Sequence, residues 1–124
     1  MPHRGEVWLA NLDPPHGTEP GKPALSLPNG MRPALIVQAQ ALLEAGNPST
    51  LIIPLTTNVV ADAEPLRVRV PPSGRLRHGS DLLIDQLRAI DNRRLVQGPL
   101  TRLSSSLMRE VADAIHEVLE LDDG

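Results

Sequence analysis

The residues of this chain best suited to chemistry are an arginine and two threonines that flank two apolar segments. Arg32 precedes the apolar run at 33–37 (PALIV), and Thr56 and Thr57 follow the apolar run at 51–55 (LIIPL). Roughly a dozen residues connect the two runs, which is enough for an antiparallel pair of strands. The start of the first strand would then lie beside the end of the second. A fixed cation beside hydroxyl donors suits the binding of a phosphodiester.

These residues also have an ordinary structural interpretation. An arginine before a buried strand is commonly a solvated charge, and threonines at a strand end often bond to the backbone of a turn. Thr57 points to the face opposite Thr56 if the strand continues, so the two hydroxyls are not expected to act alike. The residues alone therefore leave open both a phosphate site and a polar strand end.

Short strands should position these residues. We predict strands over residues 5–12, 33–39, 50–55, 66–70, 81–90 and 96–100, with a turn at 91–95. In the strand at 66–70, Arg67 and Arg69 are expected on the solvent face. A long loop is predicted over 14–32, which holds five prolines and three glycines, because proline lacks the amide donor that a strand ladder requires.

One amphipathic helix is predicted over residues 104–119. Ser104 can cap its first amides. The apolar face is predicted to hold Met108, Val111, Ala112, Ile115, Val118 and Leu119. Short strands followed by one such helix indicate a mainly β fold with a C-terminal helix, a small and strongly bent antiparallel barrel. Residues 1–124 are predicted to be a single domain, because a chain of 124 residues supports one core but not two.

The composition excludes several kinds of site. Cysteine is absent, which excludes disulfides, thiolate metal sites and a cysteine nucleophile. The four histidines (His3, His16, His78 and His116) lack metal-ligand spacing, so no metal site is predicted. Apolar runs are far too short to span a bilayer, and the N-terminus has no secretion signal pattern. A cytoplasmic protein without a membrane association is therefore expected.

The charge distribution permits a nucleic-acid partner despite a net charge of −3. Residues 110–124 hold six of the 15 acidic residues and no lysine or arginine, so residues 1–109 carry 12 basic against 9 acidic residues, a net charge of +3. Arginine supplies 11 of the 12 basic residues, and its planar fork suits phosphate. Trp8 is the only aromatic residue, so recognition of a nucleic acid cannot use several stacking rings. Trp8 could fill a core or interface, or stack on a base.

Five blocks of sequence, in order, resemble one protein family. The blocks are residues 4–14 (RGEVWLANLDP), 17–19 (GTE), 32–37 (RPALIV), 54–57 (PLTT) and 83–91 (LIDQLRAID). From about residue 4 to residue 121 the chain resembles the MazF/PemK (Kid-like) toxins of type II toxin-antitoxin systems. The resemblance implies an SH3-like bent barrel of the CcdB/MazF/PemK type, normally present as a homodimer.

The activity implied by the resemblance is that of an enzyme, a sequence-specific endoribonuclease (mRNA interferase). It would cleave single-stranded RNA at a short motif without metal or cofactor. Attack by the 2′-hydroxyl would give a 2′,3′-cyclic phosphate (or 3′-phosphate) and a 5′-hydroxyl end. The implied partners are RNA, a second copy of the chain and a cognate MazE-like antitoxin, with DNA contacted only through the antitoxin complex.

Residue by residue, the resemblance assigns catalytic roles to Arg32 and Thr56. Arg32 would stabilise charge on the phosphorane, but a guanidinium with a pKa above about 12 is a poor base, so proton transfer stays unassigned. The predicted substrate-binding residues are Thr18, Glu19, Thr57, Asp85 and Gln86. Glu19 could accept from a base or remain a solvated carboxylate. The chain departs from the family pattern at Pro20, where glutamine is usual, and by about nine extra residues, including 22–30, before Arg32.

Two other functions fit the same fold class. A gyrase poison like CcdB would act through an apolar, tryptophan-containing C-terminus, whereas this chain ends in Leu121, Asp122, Asp123 and Gly124. A non-catalytic binding module would retain RNA without cutting it. Arg88 is expected to have a structural role, paired with Asp85 or Asp91.

Overall fold

The computed structural model describes residues 1–12 and 30–121. In chain order the elements are β1 (Glu6–Asn11), β2 (Met31–Ile36), α1 (Gln40–Glu44), β3 (Ser49–Thr56), β4 (Arg67–Val70), β5 (Ser80–Leu83), β6 (Arg88–Asp91), β7 (Leu95–Arg102) and α2 (Ser105–Val118). Nearly all of the predicted loop over 14–32 lies outside the described residues.

The strands form one antiparallel sheet that bends at β3. The order is β4-β5-β3-β2-β1-β7, and β6 also pairs with β3. The first half of β3 pairs with β6, whereas its last two residues, Leu55 and Thr56, pair with β5. Among the described strands, β4 and β7 do not pair with each other, but the chain after β4 contacts β7. The Arg75 amide donates to the Leu100 carbonyl at 2.7 Å. The predicted mainly β architecture with a C-terminal helix is confirmed.

Alternating side chains divide the core between the two faces of the sheet. On one face, Leu35 and Ile53 belong to a buried cluster that includes Val111 of α2. On the other face, Ile36 and Ile52 are fully buried in a second cluster, which α1 helps to cover. Burial on both faces fixes the register of β2 and β3, because a slip by one residue would exchange the two sets of side chains.

Helix α2 begins where the sequence predicts. The Ser104 hydroxyl accepts a hydrogen bond from the Leu107 amide at 3.1 Å. Val111 is buried as predicted, but Leu119, which was also predicted on the apolar face, is 51% exposed. Leu119 caps the helix after Val118 and still has a helical conformation, with its amide donating to the Ile115 carbonyl at 3.0 Å. The burial of the apolar face therefore ends before Leu119. Across the described residues, no helix is both long and apolar enough to cross a bilayer.

The prediction of one continuous strand over 81–90 was wrong. The segment divides into β5 and β6 around a 3-10 turn, Ile84–Gln86. Leu55 of β3 pairs with Leu82 of β5, and Ile52 of β3 pairs with Arg88 of β6. These two pairs are three residues apart along β3 but six residues apart along the segment 82–88. The turn takes up the three surplus residues. It also places Ile84 in the core, where it is 2% exposed.

Two further differences concern local structure. Helix α1 was not predicted, since five residues are too few to show a helical period. The expected pairing of Arg88 with Asp85 or Asp91 was also wrong, because Arg88 Nη2 donates to the Leu12 carbonyl at 3.3 Å. Residues 88 and 91 are an odd number apart on one strand, so their side chains point to opposite faces. Arg93 binds Asp91 instead, at 2.9 Å, and its hydrogen bonds lower the pKa of Asp91 to about 2.

Trp8 is held within the sheet. It is half-buried, its indole nitrogen donates to Glu6 Oε1 at 3.0 Å, and the ring lies against Gly98. A Cβ atom at position 98 would be 2.4 Å from the indole Cδ2, so only glycine allows this approach. These contacts favour the filling role of Trp8 over base stacking.

Candidate active site

Strand pairing brings Arg32 and Thr56 together. The register between β2 and β3 is Ala34↔Pro54, Leu35↔Ile53 and Ile36↔Ile52. Continued by two residues, this register sets Arg32 opposite Thr56. Both residues line one cavity of about 300 Å³. The convergence predicted from the order of the strands is therefore present.

The cavity has an apolar floor and a cationic rim. The apolar lining residues are Leu9, Pro33, Leu55, Leu76 and Leu100, and the polar ones are Arg32, Thr56, Thr57, Arg75, Arg77, His78 and Ser80. All charged groups in this described lining are guanidinium groups. The rim therefore suits an anion, and the floor suits an uncharged part of the same ligand.

Arg32 lies on β2, a strand that is paired on one side with β1 and on the other with β3. It is half-buried on β2, and its backbone lies beside Ala10 of β1. Within residues 1–12 and 30–121, the Arg32 guanidinium makes no hydrogen bond or ion pair. Its five N–H donors can thus bind a phosphate in the bidentate manner that lysine cannot provide.

The two threonines differ in their surroundings. Thr56 is half-buried, and its Oγ1 accepts a hydrogen bond from the Asn58 amide at 3.1 Å. Because the oxygen already accepts, the hydroxyl hydrogen is directed elsewhere and can be donated to a ligand. Thr57 is exposed at the same cavity. The structure thus favours Thr56 as the more ordered donor.

The segment between the predicted strands at 66–70 and 81–90 forms one wall of the cavity. We call residues 75–78 the RLRH segment. Gly74 precedes it with a positive φ of 54°, and a Cβ there would be 2.7 Å from the Leu100 carbonyl oxygen. Arg75 Nη2 donates to the Pro99 carbonyl at 2.6 Å. Three basic side chains within four residues, bounded by Gly74 and Gly79, are the sequence signal that could have revealed this wall.

A buried carboxylate, that of Asp81, is on the residue that pairs with Thr56 on the neighbouring strand. Asp81 pairs with Thr56 across β3 and β5, and it is 1% exposed. Its oxygens accept from Arg69 Nε at 2.6 Å, from Arg67 Nη1 at 3.2 Å and from the Val60 amide at 2.8 Å. The prediction that Arg67 and Arg69 lie on the solvent face missed this contact, because both guanidinium groups bind Asp81.

The pKa of Asp81 reflects two opposed effects. Burial raises it, whereas hydrogen bonds from Arg69, the Val60 amide and Arg67 lower it. The hydrogen bonds prevail, so the pKa lies below its ordinary value and Asp81 stays charged at neutral pH. A charged Asp81 holds together β4, β5 and the chain that follows Thr57.

Of the remaining predicted site residues, the structure describes only Asp85 and Gln86. Asp85 and Gln86 are exposed on the 3-10 turn and do not line the cavity. Thr18 and Glu19 lie outside the described residues. Their predicted roles in substrate binding stay predictions. Within the described residues, no group of three or more histidine, aspartate or glutamate side chains is placed to hold a metal ion.

Comparisons with known proteins support one family. A family profile described as "PemK-like, MazF-like toxin of type II toxin-antitoxin system" matches residues 3–119. The chain is 34% identical over 119 residues to Endoribonuclease MazF of Staphylococcus saprophyticus, covering 93% of this chain and 88% of that protein. It is 32% identical over 127 residues to Endoribonuclease MazF of Staphylococcus epidermidis, covering 99% and 95%.

Solved structures agree at the level of the fold. Mycobacterium tuberculosis toxin MazF-mt6 superimposes with a TM-score of 0.72 at 21% identity, covering 94% of this chain and 98% of that one. An endoribonuclease in complex with its cognate antitoxin from a Mycobacterial species gives a TM-score of 0.71 at 20% identity over 100% of both chains. These likenesses confirm the predicted CcdB/MazF/PemK-like fold.

Proposed function

Because the chain belongs to the family of PemK-like, MazF-like toxins of type II toxin-antitoxin systems, we propose that it is an endoribonuclease that cleaves single-stranded RNA at a short motif. The observation that carries the proposal is the convergence of Arg32 and Thr56 on one cationic cavity. Two staphylococcal relatives named Endoribonuclease MazF support the same activity.

The proposed reaction is attack of an RNA 2′-hydroxyl on the adjacent phosphorus. The new bond joins the 2′-oxygen to phosphorus, and the bond to the 5′-oxygen breaks. A 2′,3′-cyclic phosphate (or a 3′-phosphate after hydrolysis) and a 5′-hydroxyl end result. Negative charge grows on the nonbridging oxygens in the transition state. The donors of Arg32 and the hydroxyl of Thr56 can bind those oxygens, so they would stabilise the transition state more than the ground state.

The same groups give a physical basis for cleavage without a metal ion. Of the described lining residues, Arg32, Arg75 and Arg77 each place a guanidinium group at the cavity. Each can place a fixed positive charge beside a phosphate. Divalent cations in other nucleases stabilise the negative charge of the phosphate in the same way. Unpaired RNA is the proposed substrate, because base edges in an A-form duplex are poorly accessible to side chains.

Regulation by a partner protein is part of the proposal. The toxin-antitoxin family implies a cognate antitoxin, and the toxin would act as a homodimer with two RNA grooves related by a two-fold axis. A disordered antitoxin segment would order on the dimer and block the groove. DNA would be contacted only through that complex.

Incubation of the purified chain with a long single-stranded RNA in excess EDTA tests the activity. We expect discrete cuts at one short motif, and mapping of the new ends should give 5′-hydroxyl and 2′,3′-cyclic phosphate termini. A matched reaction with added Mg²⁺ should cut at the same positions. Intact RNA that is retained by the protein would instead favour a non-catalytic binding module. If the protein neither cuts nor binds RNA, the proposed activity is wrong, and the gyrase-poison alternative would be tested by an assay of gyrase inhibition.

A comparison of Thr56→Val with Thr57→Val should separate the two hydroxyls. Thr56→Val removes the donor but keeps the branched shape, and a lost hydrogen bond to a charged oxygen costs about 1.5–3 kcal/mol. We expect cleavage to slow by roughly 10- to 100-fold for Thr56→Val and to change little for Thr57→Val. Single-turnover rates on an RNA with one cleavage site are the measurement. Equal losses in both variants would contradict the assignment to Thr56.

A further inference from the structure

The proposed reaction needs a group that accepts the proton of the 2′-hydroxyl. A guanidinium is a poor base at neutral pH, and a threonine hydroxyl is not a base at all under these conditions. Among the described residues that line the cavity, His78 alone carries a side chain of the type that ordinarily exchanges a proton between about pH 5 and 8. This residue belongs to the RLRH segment.

The backbone around His78 is fixed against the strand that carries Asp81. The Ser80 hydroxyl donates to the His78 carbonyl at 3.0 Å, and Ser80 is 1% exposed. Ser80 begins β5, and β5 pairs with the end of β3 at Thr56↔Asp81. The chain therefore leads directly from the Thr56 pairing partner to His78. On its other side, Arg75 is bonded to the backbone of β7 at Pro99 and Leu100.

Among the described lining residues, the charged groups that share the cavity with His78 are guanidinium groups. Arg32 reaches the cavity from β2, and Arg75 and Arg77 reach it from the RLRH segment itself. The lining residues from β1, β3 and β7 are uncharged. A phosphate held by the arginines would thus have an exposed imidazole on the same rim.

We propose that His78 is the catalytic base of this nuclease, an inference that rests on the proposed function. The neutral imidazole takes the proton of the 2′-hydroxyl while the 2′-oxygen forms its bond to phosphorus. The bond between phosphorus and the 5′-oxygen breaks, and the leaving oxygen takes a proton from water. The imidazolium then returns its proton to solvent, so the enzyme is regenerated. Arg32 and Thr56 bind the nonbridging oxygens throughout.

The pH dependence of single-turnover cleavage by His78→Gln tests this role. We expect the unaltered protein to cleave faster as the pH rises from 5 to 8, and His78→Gln to lose that rise. At pH 7 the variant should be slower by roughly 100-fold, the lower end for a general base, because solvent can also accept the proton in an open cavity. Added imidazole should restore part of the rate to His78→Gln but should not accelerate the unaltered protein.

His116→Gln is the matched control, because His116 is exposed on α2 and does not line the cavity. It should cleave like the unaltered protein at every pH. An RNA with a sulfur atom in place of the leaving 5′-oxygen adds a second readout, since a better leaving group does not replace a base. Rescue of His78→Gln by this RNA would overturn the base assignment, as would an unchanged rate and pH profile in His78→Gln. Failure of the unaltered protein to cut any RNA would instead overturn the proposed function.

Discussion

Replacement of Arg32 by alanine is expected to slow RNA cleavage by about 10³-fold while the protein stays folded. The loss of one preorganised donor at a developing oxyanion costs about 10²–10³ in rate, and Arg32 offers two parallel donors and a full charge. Its guanidinium makes no hydrogen bond or ion pair with the other described residues. Single-turnover cleavage and thermal unfolding, measured on the same preparation, check both parts of this expectation.

Two further variants separate the role of the Arg32 charge from that of its geometry and control for the loss of an arginine elsewhere. Arg32→Lys keeps the charge but not the planar fork, so it should recover only part of the lost rate. Arg109→Ala removes an exposed arginine from α2, away from the cavity lining, and should cleave normally. A full rate in Arg32→Ala would exclude this cavity as the site of cleavage. A full rate in Arg32→Lys would show that charge alone, without bidentate geometry, is sufficient.

The parts of the fold that the sequence predicted are those with strong local signals. The segments around Leu35 and Ile53 are buried on both faces of the sheet. Such strands appear in the sequence as continuous apolar runs, so they could be predicted without knowing which strands they pair with. Ser104 marked the start of α2 because a capping side chain acts within one turn. The convergence of Arg32 with Thr56 followed from strand direction alone, since an antiparallel pair fixes which ends meet.

The parts that were missed depend on contacts between distant segments. The division of residues 81–90 into β5 and β6 follows from which half of β3 each piece pairs with, and no local pattern contains that information. The RLRH segment reads as a polar connection until β7 holds it at the cavity. Asp81 stands in a fully buried strand, and only the folded chain brings Arg67 and Arg69 to it.

Replacement of Asp81 by asparagine is expected to lower the free energy of unfolding by about 3 kcal/mol. Removal of one partner of a buried ion pair leaves the other charges uncompensated. The value is near the low end for such changes because Arg67 and Arg69 are 25% and 47% exposed and can recover some hydration. Urea unfolding at neutral pH is the measurement. Asp85→Asn, at an exposed carboxylate four residues along the chain, is the matched control and should change stability little.

The effect of Asp81 should depend on pH in a defined direction. Its pKa in the folded protein lies below the ordinary value of 3.8, so the folded state binds that proton less readily than the unfolded state. The stability that Asp81 contributes is therefore complete above about pH 4 and is lost as the pH falls through the lowered pKa. The difference in unfolding free energy between the unaltered protein and Asp81→Asn should be constant from pH 7 to 5 and shrink below pH 4. A difference that grows in acid would show that the carboxylate is neutral when buried.

The same substitution should also impair catalysis, because Asp81 organises the chain around Thr56. Its carboxylate binds the Val60 amide, and Arg67, which it holds, donates to the Asn58 carbonyl at 2.7 Å. Asn58 in turn orients the Thr56 hydroxyl through its amide. Asp81→Asn should therefore slow cleavage by the folded protein, because it disturbs the same hydroxyl that Thr56→Val removes. The double variant Asp81→Asn/Thr56→Val should then be little slower than the slower of the two single variants. Fully additive losses would mean that Asp81 does not act through Thr56.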